Sequence, residues 1–261
     1  MTAPATHQID NDVYDRLAHT WWDEHGLLNI LKAAVNPWRV PYFQHILKEL
    51  GIDPKGKRAL DVGCGGGLLA EEFATMGFAV TGIDPSEQSL AIARAHATEN
   101  RLQIDYRLGY GDALPFEKER FEVVYCCDVL EHIPNWDAVI GEIARVLKQD
   151  GVFFYDTINR TMFSKVMVIK LAQEWRLTRF FPPNVHVWEM FITPEELTTS
   201  LARHGLRNQD LRGTNLGNPV RMIGAMWLYK QEKISGSEFG RRIGFREGTN
   251  LAGSYMGYAL K

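Results

Sequence analysis

The segment Leu60-Asp61-Val62-Gly63-Cys64-Gly65-Gly66-Gly67 constrains this chain more than any other. A β-like run, Arg58–Val62, feeds into it and a helical stretch, Leu68–Met76, leaves it. Glycine lets the backbone turn sharply and come close to a ligand, while the next helix presents its free N–H groups. The pattern reads G-x-G-G-G, so it opens like the dinucleotide fingerprint G-x-G-x-x-G without completing it. Any tight strand-to-helix turn uses glycine, so the loop defines a βα junction before it defines a ligand.

Around that junction, short β-like runs alternate with helical stretches, the pattern of a parallel sheet. The expected strands are Arg58–Val62, Ala79–Ile83, Gln103–Arg107, Phe121–Cys126 and Val152–Thr157, with helices at Leu68–Met76, Glu87–Glu99 and Trp136–Leu147. Upstream, Tyr14, Leu17, Ala18, Trp21 and Trp22 recur at helical spacing, and a second helix is expected from Pro37 and Pro41 to Leu50. Gly51 and Pro54 punctuate the boundary. Downstream come a basic amphipathic stretch, a helix near Pro194–Arg203, and strands near Gly205–Arg212 and Tyr255–Leu260.

Composition limits what such a sheet can serve. At 261 residues the chain suits one large α/β domain or a core with an insertion. A net charge of -3 argues against nucleic acid bound through bulk charge. Three cysteines are too few for a secreted framework, and Met1–Asp12 has neither a basic nor an apolar leader region. A cytoplasmic protein with reduced thiols is expected. Seven Trp, nine Tyr and thirteen Phe point to an aromatic-lined pocket or, more plainly, to a well-filled interior.

Two acidic loops add specificity to the glycine turn. Asp84 ends the second expected strand, where an acid can accept from both ribose hydroxyls of an adenosine-containing cofactor. It could equally cap the helix that follows Pro85. Asp112, after the third strand, can accept from the exocyclic amine of adenine. These loops lie at successive strand ends on the carboxyl edge, where open α/β sheets bind ligands.

With these motifs the sequence resembles the class I S-adenosylmethionine-dependent methyltransferases over residues 57–158. The resemblance implies S-adenosyl-L-methionine as cofactor, with Asp61, Gly63 and Gly65 around its methionine part, Asp84 at the ribose and Asp112 at adenine. A NAD-dependent dehydrogenase is the competing reading, weakened by the missing glycine spacing and by the Asp112 loop. Four further blocks resemble the ubiquinone-biosynthesis O-methyltransferases: Trp21-Trp22-Asp23 with Asn36-Pro37-Trp38-Arg39, Cys127 to His132, Asn159-Arg160, and His186 to Leu197. By that resemblance Arg39 holds the cofactor carboxylate and the Cys127 backbone lies beside the adenosine. The implied fold is Rossmann-like: a seven-stranded, mostly parallel sheet with helices on both faces, N-terminal helices and a helical lid. Residues 1–55 would cover the cofactor site, and 56–261 would form the methyltransferase domain, with 160–200 as the acceptor lid.

Chemistry narrows the catalytic candidates. Methyl transfer from a sulfonium is an in-line displacement, and a phenol, which titrates near 10, needs a base or a cation at neutral pH. Asp128, Glu131 and His132 stand at i, i+3 and i+4, one face of a helix if the chain turns helical there. Such a set suits Mg²⁺, with Zn²⁺ as an alternative, although the family resembled usually has Glu where this chain has Asp128. The same residues shape the pocket of many metal-free methyltransferases. Glu131, His132 and His186 are the acid–base candidates, while Cys64, Cys126 and Cys127 read as packing residues.

Between Arg160 and Arg179, Lys165, Lys170 and Arg176 interleave with Phe163, Val166, Met167, Ile169, Leu171, Trp175 and Leu177. Such a helix can close over an acceptor pocket or rest on an anionic membrane, and one helix can do both. The expected activity is O-methylation of a phenolic or catecholic hydroxyl on a quinone-like or natural-product acceptor. The alternatives are methylation of an amine or sugar hydroxyl, and a catalytically silent cofactor-binding partner subunit. The stretch from 205 to 250 gives no block to match and reads as extra pocket or oligomer surface.

Overall fold

The computed structural model describes residues 9–215 and 219–261. The first eight residues of the expected N-terminal cover lie outside the described residues. Among the described residues, eight strands form one sheet: β1 (Arg58–Val62), β2 (Ala79–Asp84), β3 (Ile104–Leu108), β4 (Phe121–Cys127), β5 (Leu147–Ile158), β6 (Arg207–Asn215), β7 (Arg246–Gly248) and β8 (Ser254–Leu260). Their order is β3-β2-β1-β4-β5-β8-β6-β7. β1 to β5 run parallel, and β8, β6 and β7 complete the sheet antiparallel.

The eighth strand is a correction to the seven expected from sequence. β7 is a three-residue edge pairing Gly213 to Asn215 with Arg246 to Gly248, too short and too charged to carry a β pattern.

Apolar runs dictate the sheet's interior. Leu60, Val123, Val124, Tyr125 and Cys126 are fully buried, because a parallel strand with helices on both faces has no solvent side. On one face the core gathers Ile140, Ile143, Phe153 and Leu197. On the other it gathers Phe43, Phe73, Tyr125 and Phe154, with Phe73 stacked on Tyr125 at 4.0 Å. Most of the aromatic surplus thus fills the interior, the plainer of the two readings.

Local signals set the helix ends. Helix Leu68–Met76 lies between Gly67 and Gly77, both left-handed. Helix Glu87–Glu99 is capped by Ser86, whose side chain accepts from the Ser89 N–H, so the cap is Ser86 and not Asp84. Thr193 and Glu196 form a capping box for helix Pro194–Arg203. After β5, Thr161 caps a turn at Met162–Ser164 that continues as a wide helix over Lys165–Glu174.

The N-terminal segment and the region after β6 pack together. Helices Pro219–Lys230 and Gly236–Ile243 bring Ala225, Phe239 and Ile243 against Ile30 and Ala34. A Cβ at Gly240 would overlap the Ala33 carbonyl oxygen, so glycine there permits the close approach. From sequence this region reads only as extra pocket or oligomer surface; within the described residues it braces the N-terminal segment.

Candidate active site

The carboxyl edge of β1, β2, β4 and β5 collects the functional side chains. At the end of β1 the glycine loop turns with φ of +77° at Gly63 and +49° at Gly65. Both would be strained with a side chain, and a Cβ at Gly65 would lie 2.5 Å from Trp21 Cζ2. The Trp21 indole therefore lies directly on the loop, its Nε1 donating to Ser89 Oγ at 3.0 Å, while Trp22 Nε1 donates to the Gly66 carbonyl at 2.8 Å.

Asp84 ties this loop to β2. Its Oδ2 accepts from the Gly65 N–H and its Oδ1 from the Ser86 N–H, each at 2.8 Å. A carboxylate accepts about four hydrogen bonds, so lone pairs remain for a ligand hydroxyl. Burial raises the Asp84 carboxyl to about 6. Asp61 is buried, with Oδ2 facing no protein partner, and burial pushes it well above the usual carboxylate range. An unpartnered buried acceptor at β1 and a carboxylate at β2 fit the ammonium and ribose groups of S-adenosylmethionine. Asp112 stands exposed in the turn after β3, and Cys127 is half-buried at the end of β4.

Arg39, 3 % exposed, reaches the same edge from helix Asn36–Glu49. Its Nη1 pairs with Asp128 Oδ2 at 2.7 Å and Asp156 Oδ2 at 2.6 Å, and Nη2 donates to Asn36 Oδ1 at 2.7 Å. Asp156, which the sequence reading missed, lies opposite Cys127 in the sheet register and also accepts the Asp128 N–H at 2.8 Å. Its signal was available: an acid at the end of a strand, like Asp84.

The expected metal set is not assembled, and Mg²⁺ has no support here. Asp128 adopts a left-handed conformation, φ +56°, and only Leu130–His132 forms a helical turn, so the i, i+3, i+4 face does not exist. Each donor is otherwise engaged: Asp128 by Arg39, Glu131 Oε2 by the Thr157 hydroxyl at 2.8 Å, and His132 Nε2 by the Tyr14 hydroxyl at 3.1 Å. Among the described residues no group of three or more His, Cys, Asp or Glu side chains is arranged to hold a metal ion.

The three acid–base candidates do come together in part. Glu131 is buried, and desolvation with the nearby Asp128 charge raises its carboxyl to about 8, leaving it largely protonated at neutral pH. His132 is pushed down to about 4 by burial, so its imidazole is neutral. The His186 ring lies 5.2 Å from that of His132 and is also held neutral by burial. Gln173 of helix Lys165–Glu174 clamps the His186 backbone, donating to its carbonyl at 3.0 Å and accepting its N–H at 2.8 Å. Phe181 and Phe191 stand edge-on to His186, making an aromatic wall. The Nδ1 atoms of both imidazoles are buried without partners. Burial raises the three thiols well above the usual range, so the cysteines pack rather than react.

Comparison with known proteins bears on the family and the fold. The methyltransferase-domain family matches residues 60–155. The ubiquinone biosynthesis O-methyltransferase of Actinobacillus pleuropneumoniae serotype 5b is 39% identical over 218 residues, covering 82% of this chain and 90% of that relative. The enzyme of the same name from Methylobacterium nodulans is 34% identical over 238 residues, covering 88% and 93%. In fold, the chain is similar to a SAM dependent methyltransferase from Aquifex aeolicus, with a TM-score of 0.57, 14% identity and coverage of 97% and 99%. It is also similar to the magnesium protoporphyrin IX methyltransferase of Synechocystis PCC 6803 solved with bound SAH, with a TM-score of 0.56, 17% identity and coverage of 97% and 89%. Identity at this level across nine-tenths of the relatives' length, on a Rossmann-like sheet, means that the chain is an S-adenosylmethionine-dependent methyltransferase of the ubiquinone biosynthesis O-methyltransferase family.

Proposed function

We propose that this enzyme transfers a methyl group to a phenolic or catecholic hydroxyl of a quinone-like aromatic acceptor, with His132 as the proton acceptor. The observation that carries the reading is the buried pair of neutral imidazoles, His132 and His186, standing against Phe181 and Phe191 beside the β4 edge. A planar aromatic fits such a wall, and a neutral imidazole with a free nitrogen can take a phenolic proton. S-adenosylmethionine, when bound, supplies an electrophilic methyl group on a sulfonium. With that group in place, His132 would take the phenolic proton as the acceptor oxygen accepts the methyl group, the sulfonium leaving as a neutral thioether. His186 orients the acceptor, and protonated Glu131 can donate a hydrogen bond to a neighbouring ring oxygen.

On the cofactor side we assign Asp61, Gly63 and Gly65 to the methionine portion, Asp84 to the ribose, Asp112 to adenine and Cys127 to the adenosine face. Arg39 holds the cofactor carboxylate, with Asp128 and Asp156 fixing its guanidinium. Residues up to 55 serve as a cover, 56–261 as the methyltransferase domain and 160–200 as its acceptor lid. The Gln173 clamp on His186 supports that lid role.

The lid also suits peripheral contact with an anionic membrane from its cytoplasmic face. Leu177 is 92% exposed and Trp175, Phe163 and Met162 are also exposed, close in sequence to Lys165 and Lys170. No described helix is long and apolar enough to cross a membrane. Flotation with anionic vesicles should carry the protein upward, and Leu177→Asp with Trp175→Asp should abolish it.

The activity is tested with methyl-labelled S-adenosylmethionine and a panel of catechols, hydroxyquinones, amines and sugars. Label is expected on the oxygen of catechols or hydroxyquinones, and His132→Ala should remove it. Label found only on amines or sugars would overturn the acceptor assignment.

A further inference from the structure

Trp22, in the N-terminal segment, has no task in the reaction described above, yet three elements converge on its ring. The His96 imidazole, from helix Glu87–Glu99, stacks on the indole with 3.4 Å between ring centroids and 9° between planes. The Lys32 ammonium lies over the same indole at 4.4 Å. An imidazole stacked that closely fills its own face, so the ammonium takes the other. His96 is fixed in turn by Glu71 of helix Leu68–Met76, whose Oε1 lies 2.7 Å from the imidazole Nδ1. That helix is the one that leaves the glycine loop.

The polar edge of the indole meets the loop itself. Trp22 Nε1 donates to the Gly66 carbonyl at 2.8 Å. A Cβ at Gly66 would overlap Trp21 Cγ, so the neighbouring indole covers the Cα of the same residue. Most N–H groups of the turn are spoken for. Gly63 and Cys64 donate to the Ile83 carbonyl at 2.8 and 3.1 Å, Gly65 to Asp84 Oδ2 at 2.8 Å, and Gly67 to the Cys64 carbonyl at 2.9 Å. Among the described residues, the N–H of buried Gly66 is the one in this turn without a protein acceptor. A buried N–H is nearly always paired, so this donor is available to what the loop receives. The methionine portion of S-adenosylmethionine ends in a carboxylate, which has lone pairs enough for a loop N–H and for Arg39 together.

The geometry points to Trp22 as the positioning residue of the glycine loop: it holds the Gly66 carbonyl so that the Gly66 N–H is aimed at the methionine portion of the cofactor, while His96 and Lys32 act through it by holding its ring. This role rests on the assignment of the loop to the cofactor. Glycine has the widest backbone freedom of any residue, so a Gly66 released from Trp22 must be ordered again each time the cofactor binds. The cost therefore falls on binding. Lys32 and His96, which belong to no motif, set cofactor affinity from outside the site.

The test measures S-adenosylmethionine affinity by titration calorimetry, with steady-state kinetics alongside, in full-length wild type, Trp22→Phe, Trp22→Ala, His96→Ala and the double variant Trp22→Ala/His96→Ala. Trp22→Phe keeps an aromatic ring between His96 and Lys32 and removes the N–H, so affinity should fall roughly 5-fold, the worth of one neutral hydrogen bond. Trp22→Ala also loses the stacked ring and should fall roughly 30-fold. His96→Ala should cost about 3-fold alone and nothing further in the Trp22→Ala background, because it acts through the indole. The loss should appear in KM for S-adenosylmethionine and not in kcat, which a general loosening of the fold would lower as well. In ¹⁵N-glycine-labelled protein, S-adenosylmethionine should shift the Gly66 amide in wild type and much less in Trp22→Ala. If Trp22→Ala does not fold, Trp22→Phe carries both measurements. Unchanged affinity in the Trp22 variants, beside a weakened Gly65→Ala, overturns the Trp22 role alone, as does a loss confined to kcat. Unchanged affinity in Gly65→Ala as well overturns the assignment of the loop to the cofactor and the Trp22 role with it.

Discussion

Replacing Arg39 by Met tests whether the ion-pair hub holds the carboxyl edge together. Met approximates the volume of the stem but removes the guanidinium that pairs with Asp128 at 2.7 Å and Asp156 at 2.6 Å. Asp156 is buried, while Asp128 keeps 29% of its side chain exposed and can be partly rescued by solvent. Removing one partner of a buried pair costs about 3–5 kcal/mol, because a charge is left behind without compensation. For a domain of this size each kcal/mol corresponds to about 2–4 °C, so the melting temperature should fall by roughly 6–20 °C at pH 7.5. The loss should also depend on pH. Burial raises the Asp156 carboxyl and Arg39 opposes that rise, so the variant's folded carboxyl titrates still higher. An acid whose folded pKa is raised has full stability below its unfolded value near 3.9, and loses stability as pH climbs toward the folded value. The deficit of Arg39→Met relative to wild type should therefore be small at pH 5 and largest at pH 7.5 and above. Adding Asp156→Asn should recover part of it. Calorimetry at several pH values measures all of this. A fall of less than about 2 °C at pH 7.5, or a deficit independent of pH, would refute the hub as a stabilising element.

Other consequences concern single groups at the same edge. Glu131 has its carboxyl raised to about 8, so wild-type stability should fall as pH rises from about 5 to 8, whereas Glu131→Gln, which cannot ionise, should lose less over that range in urea unfolding. The opposite trend would contradict its burial. Asp84→Ala leaves the Gly65 and Ser86 N–H groups without an acceptor; at ~2 kcal/mol this weakens S-adenosylmethionine binding about 30-fold by titration calorimetry. An unchanged affinity would remove Asp84 from the cofactor site. Gly65→Ala imposes a side chain at φ +49° against Trp21, so cofactor affinity should drop and Trp21→Ala should restore part of it. No restoration would mean that the strain is in the backbone alone.

Local chemistry made much of the fold legible. Helices Leu68–Met76 and Glu87–Glu99 end where the sequence reading placed them, because a left-handed glycine or a serine cap acts within one turn. The glycine loop, Asp61 and Asp84 could likewise be assigned to one edge, since a parallel sheet puts every strand's carboxyl end on the same side. The Asp128–Glu131–His132 spacing misled for the converse reason. Periodicity assumes a helix, and the left-handed turn at Asp128 prevents one. Helices Pro219–Lys230 and Gly236–Ile243 were unreadable because what they cover, Ile30 and Ala34, lies about two hundred residues away.

By itself, then, the sequence determined the sheet, its glycine turn and the class of cofactor that such a turn admits. The tertiary structure alone decided which side chains meet there: Arg39 claims Asp128 from 89 positions upstream, and Tyr14 reaches His132 across 118. The physical reason is range. Turns and caps are fixed by neighbours in the chain, whereas ion pairs and neutral imidazoles exist only once strands distant in sequence share an edge and exclude water from it.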